Sequence, residues 1–307
     1  MRKIIVVGSL NMDMVINTPR IPKLGETIIG SNFMTIPGGK GANQAVAAAK
    51  LGGDVSMIGC VGDDIFGQNL RENLKSCNVD IQNIRGIKNV STGVAVITVC
   101  DGDNTIILDS GANFKIDCNV IDKISEVIID SYMVIIQLEI PQEVVEYVIA
   151  LAYKNKVKVL LNPAPARQLS DELLSKVTIF TPNETECEII AGISINSIED
   201  AKSAVHYLRN KGIQNVIVTM GKNGVVYNSG EAVIHKKVST VKAVDTTAAG
   251  DAFSGAIAVA LSEGKTIDEA VDFGNKAGTL TVMKIGAQIS LPTRQDVENF
   301  EEIICQK

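Results

Sequence analysis

The 307-residue chain lacks tryptophan, contains only two histidines, and has six cysteines, none of them in a C-x-x-C pair. With so few paired nitrogen and sulfur ligands, a zinc site is not expected. No apolar run approaches the roughly 20 residues of a membrane span, and no signal peptide is expected because Met1-Arg2-Lys3 leads directly into a strand pattern. Six scattered cysteines without a C-x-x-C pair are typical of a protein in a reducing compartment, so we expect a cytoplasmic protein.

Basic clusters are also missing. The 29 lysines and arginines are scattered in runs no longer than two, and 35 acidic residues give a net charge of −6. Neither a nucleic acid nor an anionic membrane is therefore an expected partner. The composition, 46% hydrophobic and 21% charged, is that of a globular protein. Because no linker or low-complexity segment interrupts the chain, we expect a single domain over residues 1–307.

Short, continuous apolar runs rich in β-branched residues predict buried strands, and helical patterns lie between them. The strands are predicted over 3–9, 54–62, 131–139, 156–165, 176–184 and 215–221. The helices are predicted over 42–51, 65–76, 142–154, 184–191, 198–211, 251–262 and 266–283. This alternation predicts an α/β fold: a three-layer α/β/α, doubly wound and mostly parallel sheet.

Two stretches do not fit this alternation of strands and helices. Residues 12–35 lack a convincing helix and alternate in "ETIIGSNFMTI", and residues 92–109 read as a hairpin that turns at Asp101-Gly102-Asp103. Neither belongs in a βαβ series. They predict a small β-sheet lid, formed by about residues 12–36 and 92–110 and inserted in the main domain.

The two best-known phosphate-binding motifs are absent. The first strand ends in Gly8-Ser9-Leu10, without the G-x-G-x-x-G of a dinucleotide site. A Walker A loop needs glycine five positions before its Gly-Lys pair, and the three candidate positions hold Met34, Val216 and Val259. A phosphate site in this chain must use a different construction.

The stretch "AVDTTAAGDAFSG" over 243–255 offers one. Ala248, Ala249 and Gly250 are predicted to form a tight turn that opens a helix, where free backbone N–H groups and the helix dipole favour an anion. Asp251 lies in the first turn of that helix. It is either a capping charge or a group that acts on whatever the N–H groups hold.

Other polar segments follow predicted strands or begin predicted helices. Asn11 and Asp13 of "NMD" suit sugar hydroxyls or a plain turn, and Glu139 ends a strand either in solvent or in a cleft. In "PGGKGANQAVAAAKLGG" the glycines let the backbone lie against a ligand beside Lys40, unless this is an ordinary turn capped by Asn43.

Two further segments have the same ambiguity. Asn183 and Glu186 of "TPNETE" would share a helical face and could hold hydrated Mg²⁺, or they could cap the helix. "VTMGKNG" over 218–224 could receive a nucleotide or form a plain turn. A doubly wound sheet would bring all of these loops to one edge. This convergence is stronger evidence for a binding site than any single motif.

Together these segments resemble the ribokinase family of carbohydrate kinases along essentially the whole chain. The most specific signatures are "PGGKGANQAVAAAKLG" and "DTTAAGDAFSG", and "NMD", "NETE" and "KIGAQISLP" also match. The resemblance implies an α/β/α domain with a β lid over the sugar, which also forms a homodimer contact. It implies ATP-dependent phosphorylation of D-ribose at O5, giving ribose 5-phosphate and ADP, with Mg²⁺ and an activating K⁺.

The resemblance also implies roles for individual residues. For catalysis it implies Asp251 as general base with an anion hole from Ala248, Ala249 and Gly250. For the sugar it implies Asn11, Asp13, Gly39, Lys40, Gly41, Ala42, Asn43, Glu139 and Asp251. For the nucleotide it implies Asn183, Glu186, Thr219, Met220, Gly221, Lys222, Asn223, Gly224, Gly250 and Asn275, with Glu186 linked to Mg²⁺. For the monovalent cation it implies Asp245, Thr247, Thr281, Lys284, Gly286 and Ser290.

Alternatives stay open at this point. The substrate could be 2-deoxyribose, fructose or a nucleoside, although Asn11, Asp13 and the glycine-rich loop favour a small free sugar. A nicotinamide-dependent oxidoreductase is disfavoured by the missing fingerprint. A non-catalytic sugar-binding protein on the same fold is disfavoured by the presence of Asp251 beside Gly250.

Overall fold

The computed structural model describes residues 2–100 and 103–305. Asp101 and Gly102 of the predicted hairpin turn lie outside the described residues. The strands are β1 (Ile4–Val7), β2 (Asn11–Asn17), β3 (Ser31–Gly38), β4 (Val55–Gly62), β5 (Asp80–Ile87), β6 (Gly93–Cys100), β7 (Asp103–Asp109), β8 (Met133–Ile136), β9 (Lys158–Leu161), β10 (Ile179–Phe180), β11 (Asn215–Thr219), β12 (Val225–Ser229) and β13 (Ala232–Lys236). The helices are α1 (Lys40–Lys50), α2 (Ile65–Ser76), α3 (Cys118–Lys123), α4 (Ser125–Ile129), α5 (Gln142–Lys154), α6 (Asp171–Leu174), α7 (Glu184–Ala191), α8 (Ile198–Asn210), α9 (Ala249–Ser262), α10 (Ile267–Val282), α11 (Arg294–Glu298) and α12 (Phe300–Cys305).

A nine-stranded sheet forms the centre, in the order β13-β12-β11-β10-β9-β8-β1-β4-β5. The strands from β11 to β5 in this order pair in parallel, and β12 and β13 add an antiparallel hairpin at one edge. In register, Ile4 of β1 faces Val55 on one side and Met133 on the other. The predicted mostly parallel sheet is confirmed.

Helices cover both faces of this sheet because alternate residues of each strand point to opposite sides. Ile4 and Val6 belong to one hydrophobic core, together with residues of α1, α9 and α10. Ile5 and Val7 belong to a second core, together with residues of α5 and α8. The three-layer arrangement predicted from the sequence is therefore present. None of the helices that the structure describes has the length and apolar character needed to cross a bilayer.

A separate four-stranded sheet has the order β3-β2-β6-β7. Its strands come from the two stretches that do not fit the βαβ series, about residues 12–36 and 92–110, as predicted. The segment Asn11-Met12-Asp13 is the beginning of β2, pairing with β3 and β6, so the interpretation of it as a plain turn is wrong. The ladder hydrogen bonds of both neighbours hold this segment extended.

Some predicted boundaries need correction. Residues 131–139 and 176–184 were expected to be strands throughout, but only β8 and the two-residue β10 pair within them. Residues 131–132 and 176–178 precede these strands, residues 137–139 and 181–183 follow them at the sheet edge, and Glu184 already begins α7. Strand β5 was not predicted, since its sequence "DIQNIRGI" buries only Ile84 fully.

Helix α1 begins at Lys40, two residues earlier than predicted. Its N-cap is Gly39, whose φ of 89° lies in the left-handed region that favours glycine, and no side chain caps it. Asn43 therefore lies inside the helix and does not cap it, which corrects the ordinary interpretation of this asparagine.

Candidate active site

A cleft of about 1210 Å³ lies between the small sheet and the carboxyl-terminal edge of the large sheet. Glu139, Asn162, Thr181 and Thr219 reach it from the ends of β8, β9, β10 and β11. Strand ends of a doubly wound sheet meet at one edge, and ligands bind there. The predicted convergence of the loops is thus observed.

Sixteen of the predicted site residues line this cleft. They are Asn11, Asp13, Gly39, Lys40, Asn43, Glu139, Asn183, Glu186, Thr219, Asp245, Thr247, Ala248, Ala249, Gly250, Asp251 and Gly286. The remaining predicted residues do not line it: Gly41, Ala42, Met220, Gly221, Lys222, Asn223, Gly224, Asn275, Thr281, Lys284 and Ser290.

Gly41 and Ala42 instead pack the start of α1 against the end of β1. A Cβ at Gly41 would lie 2.6 Å from the Ser9 nitrogen, a distance real Cβ atoms do not reach. The Ala42 N–H donates to the Ser9 carbonyl at 2.9 Å. These two small residues set the position of Lys40 and Asn43, which do face the cleft.

Asp251 is buried at the third position of α9. Its two carboxylate oxygens accept from side chains of α1, from Asn43 Nδ2 at 3.0 Å and from Gln44 Nε2 at 2.9 Å. No side chain caps the start of α9. Asp251 therefore does not cap the helix through a side-chain hydrogen bond, and its carboxylate is held instead by donors from α1.

The turn before Asp251 presents two free N–H groups, where three were predicted. Ala248 has a left-handed φ of 62° and serves as the N-cap of α9. The Ala249 N–H donates to the Thr246 carbonyl at 3.3 Å. In the described part of the chain, the N–H groups of Ala248 and Gly250 have no protein acceptor. Two backbone donors thus stand beside the carboxylate and can bind an anion.

The cleft is acidic. Among the described residues that line it, six carry carboxylates and Lys40 alone carries a positive charge. Burial raises the pKa of Asp13 to about 7, with help from the charges of Glu139 and Asp251. Burial by itself lowers the pKa of Lys40, but the charges of Asp251, Glu139 and Glu186 outweigh it and raise that pKa above 10.5. Lys40 is therefore held as a cation among the acids.

Glu139 points into the cleft and is not solvated at the sheet edge, so the solvated alternative is wrong. Its Oε2 accepts from the Ser9 hydroxyl and from the Lys40 N–H at 3.1 Å. Ser9 also accepts from the Gly41 N–H at 3.3 Å. Residues at the end of β1 and the start of α1 thereby fix this carboxylate opposite Lys40.

Asn183 and Glu186 form a capping box at the start of α7. Asn183 Oδ1 accepts from the Glu186 N–H at 2.8 Å, and the Glu186 carboxylate accepts from the Asn183 N–H at 2.9 Å and from its Nδ2 at 3.0 Å. The capping interpretation is confirmed, and the pair also faces the cleft. Burial raises the pKa of Glu186 above its ordinary value.

Asp245 joins the loop before α9 to the loop after α10. Its carboxylate accepts from the Thr247 N–H and from the Gly286 N–H, both at 2.9 Å. Although burial raises the pKa of Asp245, these hydrogen bonds outweigh it and lower the pKa. The described residues contain no cluster of three or more histidine, cysteine or acidic side chains arranged to hold a metal ion.

Sequence reasoning missed several polar residues behind the cleft. Gln44 and Gln288 bind Asp251 and Asn43, and Asn113 fixes Asn11 by donating to its Oδ1 at 2.7 Å. Gln44 is a polar residue in an alanine-rich helix face, which is a signal that could have been used. No comparable local signal marks Asn113 or Gln288.

The family profile described as pfkB family carbohydrate kinase matches residues 1–294. The chain belongs to this family of carbohydrate kinases. A ribokinase from Haemophilus influenzae is 45% identical over 98% of this chain and 99% of its own length. A deoxyribokinase from Salmonella typhimurium is 37% identical over 98% of each chain.

Solved structures agree with this assignment. The structure of Arabidopsis thaliana ribokinase complexed with ribose and ATP superposes on this kinase with a TM-score of 0.91. The two chains are 34% identical, with 97% of this chain and 98% of that one covered. The resemblance inferred from the glycine-rich and "DTTAAGDAFSG" motifs is confirmed at the level of the family.

Proposed function

We propose that the protein is a ribokinase that transfers the γ-phosphoryl group of ATP to O5 of D-ribose. The observation that carries the proposal is the buried Asp251 carboxylate, fixed beside the free N–H groups of Ala248 and Gly250 at the start of α9. The full-length similarity to a ribokinase and to a ribokinase complexed with ribose and ATP supports the substrate and the phosphoryl donor.

The groups in the cleft suit phosphoryl transfer from ATP to a sugar hydroxyl. Asp251 accepts the O5 proton while the new O5–P bond forms and the bond from phosphorus to the β,γ-bridging oxygen breaks, releasing ADP. General base help of this kind contributes about 10²–10⁴-fold in rate. The N–H groups of Ala248 and Gly250 would stabilise the charge on the transferring phosphoryl oxygens, and Lys40 would offset charge in an otherwise acidic cleft.

Two cations fit the donor groups near the cleft. Each Glu186 oxygen is already bonded to Asn183, so Glu186 suits a water-mediated contact to Mg²⁺ whose main ligands are phosphate oxygens. The Asp245 carboxylate and the backbone oxygens around Gly286 and Ser290 suit a monovalent cation such as K⁺. When bound, Mg²⁺ would supply charge neutralisation on the phosphates, and K⁺ would stabilise the turn before α9.

The small sheet is proposed to act as a lid and as a homodimer contact. It contributes Asp13, Val15, Ala95 and Leu108 to the cleft wall. Strand β7 is exposed along its whole length, and Ile107 keeps 74% of its surface exposed. An exposed apolar edge strand gains from pairing with a second copy of the protein.

We also propose a cytoplasmic location.

The test is ADP release with a panel of acceptors: D-ribose, 2-deoxyribose, fructose and a nucleoside, each with and without K⁺. We expect the highest kcat/KM with D-ribose and higher turnover with K⁺ than with a bulky organic cation. Because a 37% identical relative is a deoxyribokinase, 2-deoxyribose is the second candidate. A higher kcat/KM for 2-deoxyribose would replace the proposed substrate.

The raised pKa of Asp13 predicts a pH dependence of sugar binding. If the Asp13 carboxylate accepts hydrogen bonds from ribose hydroxyls, ribose should bind about tenfold more tightly at pH 8 than at pH 6, on either side of a pKa of about 7. The same shift makes the contribution of Asp13 to stability of the free protein fully present below pH 4 and lost as the pH rises through 7.

Calorimetric titration of ribose without ATP, from pH 6 to pH 8, measures this effect. The Asp13→Asn protein should bind more weakly and show a flatter profile, whereas the neighbouring charged groups Glu139, Asp251, Lys40 and Glu186 are the same in both proteins. An equally steep profile in both proteins would contradict the assignment to Asp13.

A further inference from the structure

Two chains of buried amide side chains meet at the Asp251 carboxylate. In the first, Gln44 donates from Nε2 to Asp251 Oδ1 at 2.9 Å and to Asn162 Oδ1 at 3.0 Å. Its Oε1 accepts from Gln137 Nε2 at 2.7 Å. Gln44 and Gln137 are both fully buried. Every polar atom of Gln44 is therefore used, and it contacts the proposed base without lining the cleft.

The orientation of this first chain is fixed by a backbone group. Asn162 Nδ2 donates to the Thr181 carbonyl at 3.1 Å, which only the nitrogen end of that amide can do. The Asn162 oxygen must then face Gln44, and Gln44 must present its nitrogen to both Asn162 and Asp251. The nitrogen of Gln44 must therefore face Asp251. Rotating the Gln44 amide alone would place its oxygen against the oxygens of Asn162 and Asp251.

The second chain holds the other carboxylate oxygen. Asn43 Nδ2 donates to Asp251 Oδ2 at 3.0 Å, and Asn43 Oδ1 accepts from Gln288 Nε2 at 3.1 Å. Gln288 Oε1 in turn accepts from Asn73 Nδ2 of α2 at 2.6 Å. The Gln288 carbonyl is anchored by Lys50 Nζ at 2.8 Å. This chain connects the loop after α10 to Asp251 through a residue proposed to bind the sugar.

We propose that Gln44 is a positioning residue for phosphoryl transfer, holding the Asp251 carboxylate in the orientation that receives the O5 proton. The inference rests on the proposed function, since it assigns Gln44 a role through the general base. An Asp side chain has two rotatable bonds, and a reacting group displaced by about 1 Å can cost 10²-fold in rate. Buried amides are costly unless paired, and the full pairing of Gln44 gives this clamp its rigidity.

The test is the Gln44→Met protein, which keeps the side-chain length and removes both N–H donors. We expect kcat with ribose to fall about 10- to 100-fold, while KM for ribose and for ATP changes less than about threefold. Gln68→Met on α2 is the matched control, since Gln68 is exposed, its side chain donates to Glu72, and the change should leave kcat unchanged. If Gln44→Met is not folded at the assay temperature, Gln44→Asn keeps the amide but draws it out of reach of Asp251. The same kcat loss is expected.

A double-mutant cycle separates positioning from a general packing defect. In the Asp251→Asn background, the Gln44→Met change should cost less than about threefold in residual kcat, because its effect passes through the carboxylate. A loss as large as in the wild-type background, or an unchanged kcat in the single variant, would overturn the proposal. Turnover of ribose by the wild-type protein is measured first, so failure of the proposed function is seen separately.

Discussion

The Asp251→Asn protein is expected to lose about 10²–10⁴-fold in kcat with ribose, while still folding and binding ATP. The new amide has the size of the carboxylate but cannot accept the O5 proton. Both Asp251 oxygens accept from amide donors, Asn43 on one side and Gln44 on the other. Either orientation of the new amide therefore places its NH₂ against a donor, and about 1–3 kcal/mol of stability should also be lost.

Single-turnover and steady-state ADP release measure the catalytic effect, and thermal unfolding measures the stability effect. Asp130→Asn is the control, because Asp130 is an exposed carboxylate at the end of α4. A kcat within threefold of the wild-type value would remove Asp251 from the role of general base. Wild-type stability would contradict the two-sided clamp of its carboxylate.

The Lys40→Met protein is expected to lose about 10²–10³-fold in kcat/KM for ATP. Lys40 is the single cation among the described residues that line the cleft, and Asp251, Glu139 and Glu186 hold it in its charged form. Without it, the phosphates of ATP would lie among carboxylates, with only Mg²⁺ and the backbone N–H groups of Ala248 and Gly250 to offset the repulsion.

ATP titrations and initial rates at several Mg²⁺ concentrations test this expectation. The loss should be larger at low Mg²⁺, since the ion then offsets less of the phosphate charge. Lys154→Met, an exposed position at the end of α5, is the matched control. A loss confined to the KM of the sugar would instead show that Lys40 acts on ribose alone.

Local patterns were sufficient for much of the fold. The helices Ile65–Ser76, Gln142–Lys154 and Glu184–Ala191 have the predicted boundaries, because each directly follows a residue typical of helix starts (Asp64, Pro141 and Asn183) and repeats apolar residues at helical spacing. The small sheet was predictable from one segment that alternates in its second half and one that has the pattern of a hairpin, since neither fits a βαβ series. Strand β5 was not, because most of its residues remain partly exposed at the edge of the sheet.

The candidate site was predictable as a set of positions. Asn11, Lys40, Glu139 and Asp251 were singled out because polar groups that follow strands or open helices converge at one edge of a doubly wound sheet. Their local sequence could not decide, for each residue, between a binding role in the cleft and a turn, cap or solvated position. Glu139 faces the cleft because Ser9, 130 positions away in the chain, donates to it.

The sequence by itself determined the α/β/α architecture, the inserted small sheet and the identity of the groups that meet in the cleft. Only the tertiary structure decided how those groups are arranged: that the Ala249 N–H bonds Thr246, that half-buried Asp13 lies near Glu139 and Asp251, and that Gln44 donates to Asp251. The reason is physical. Periodicity reports which residues are buried, whereas hydrogen-bond partners and pKa values depend on groups as far apart in the chain as Gln44 and Asp251, 207 positions, which only packing brings together.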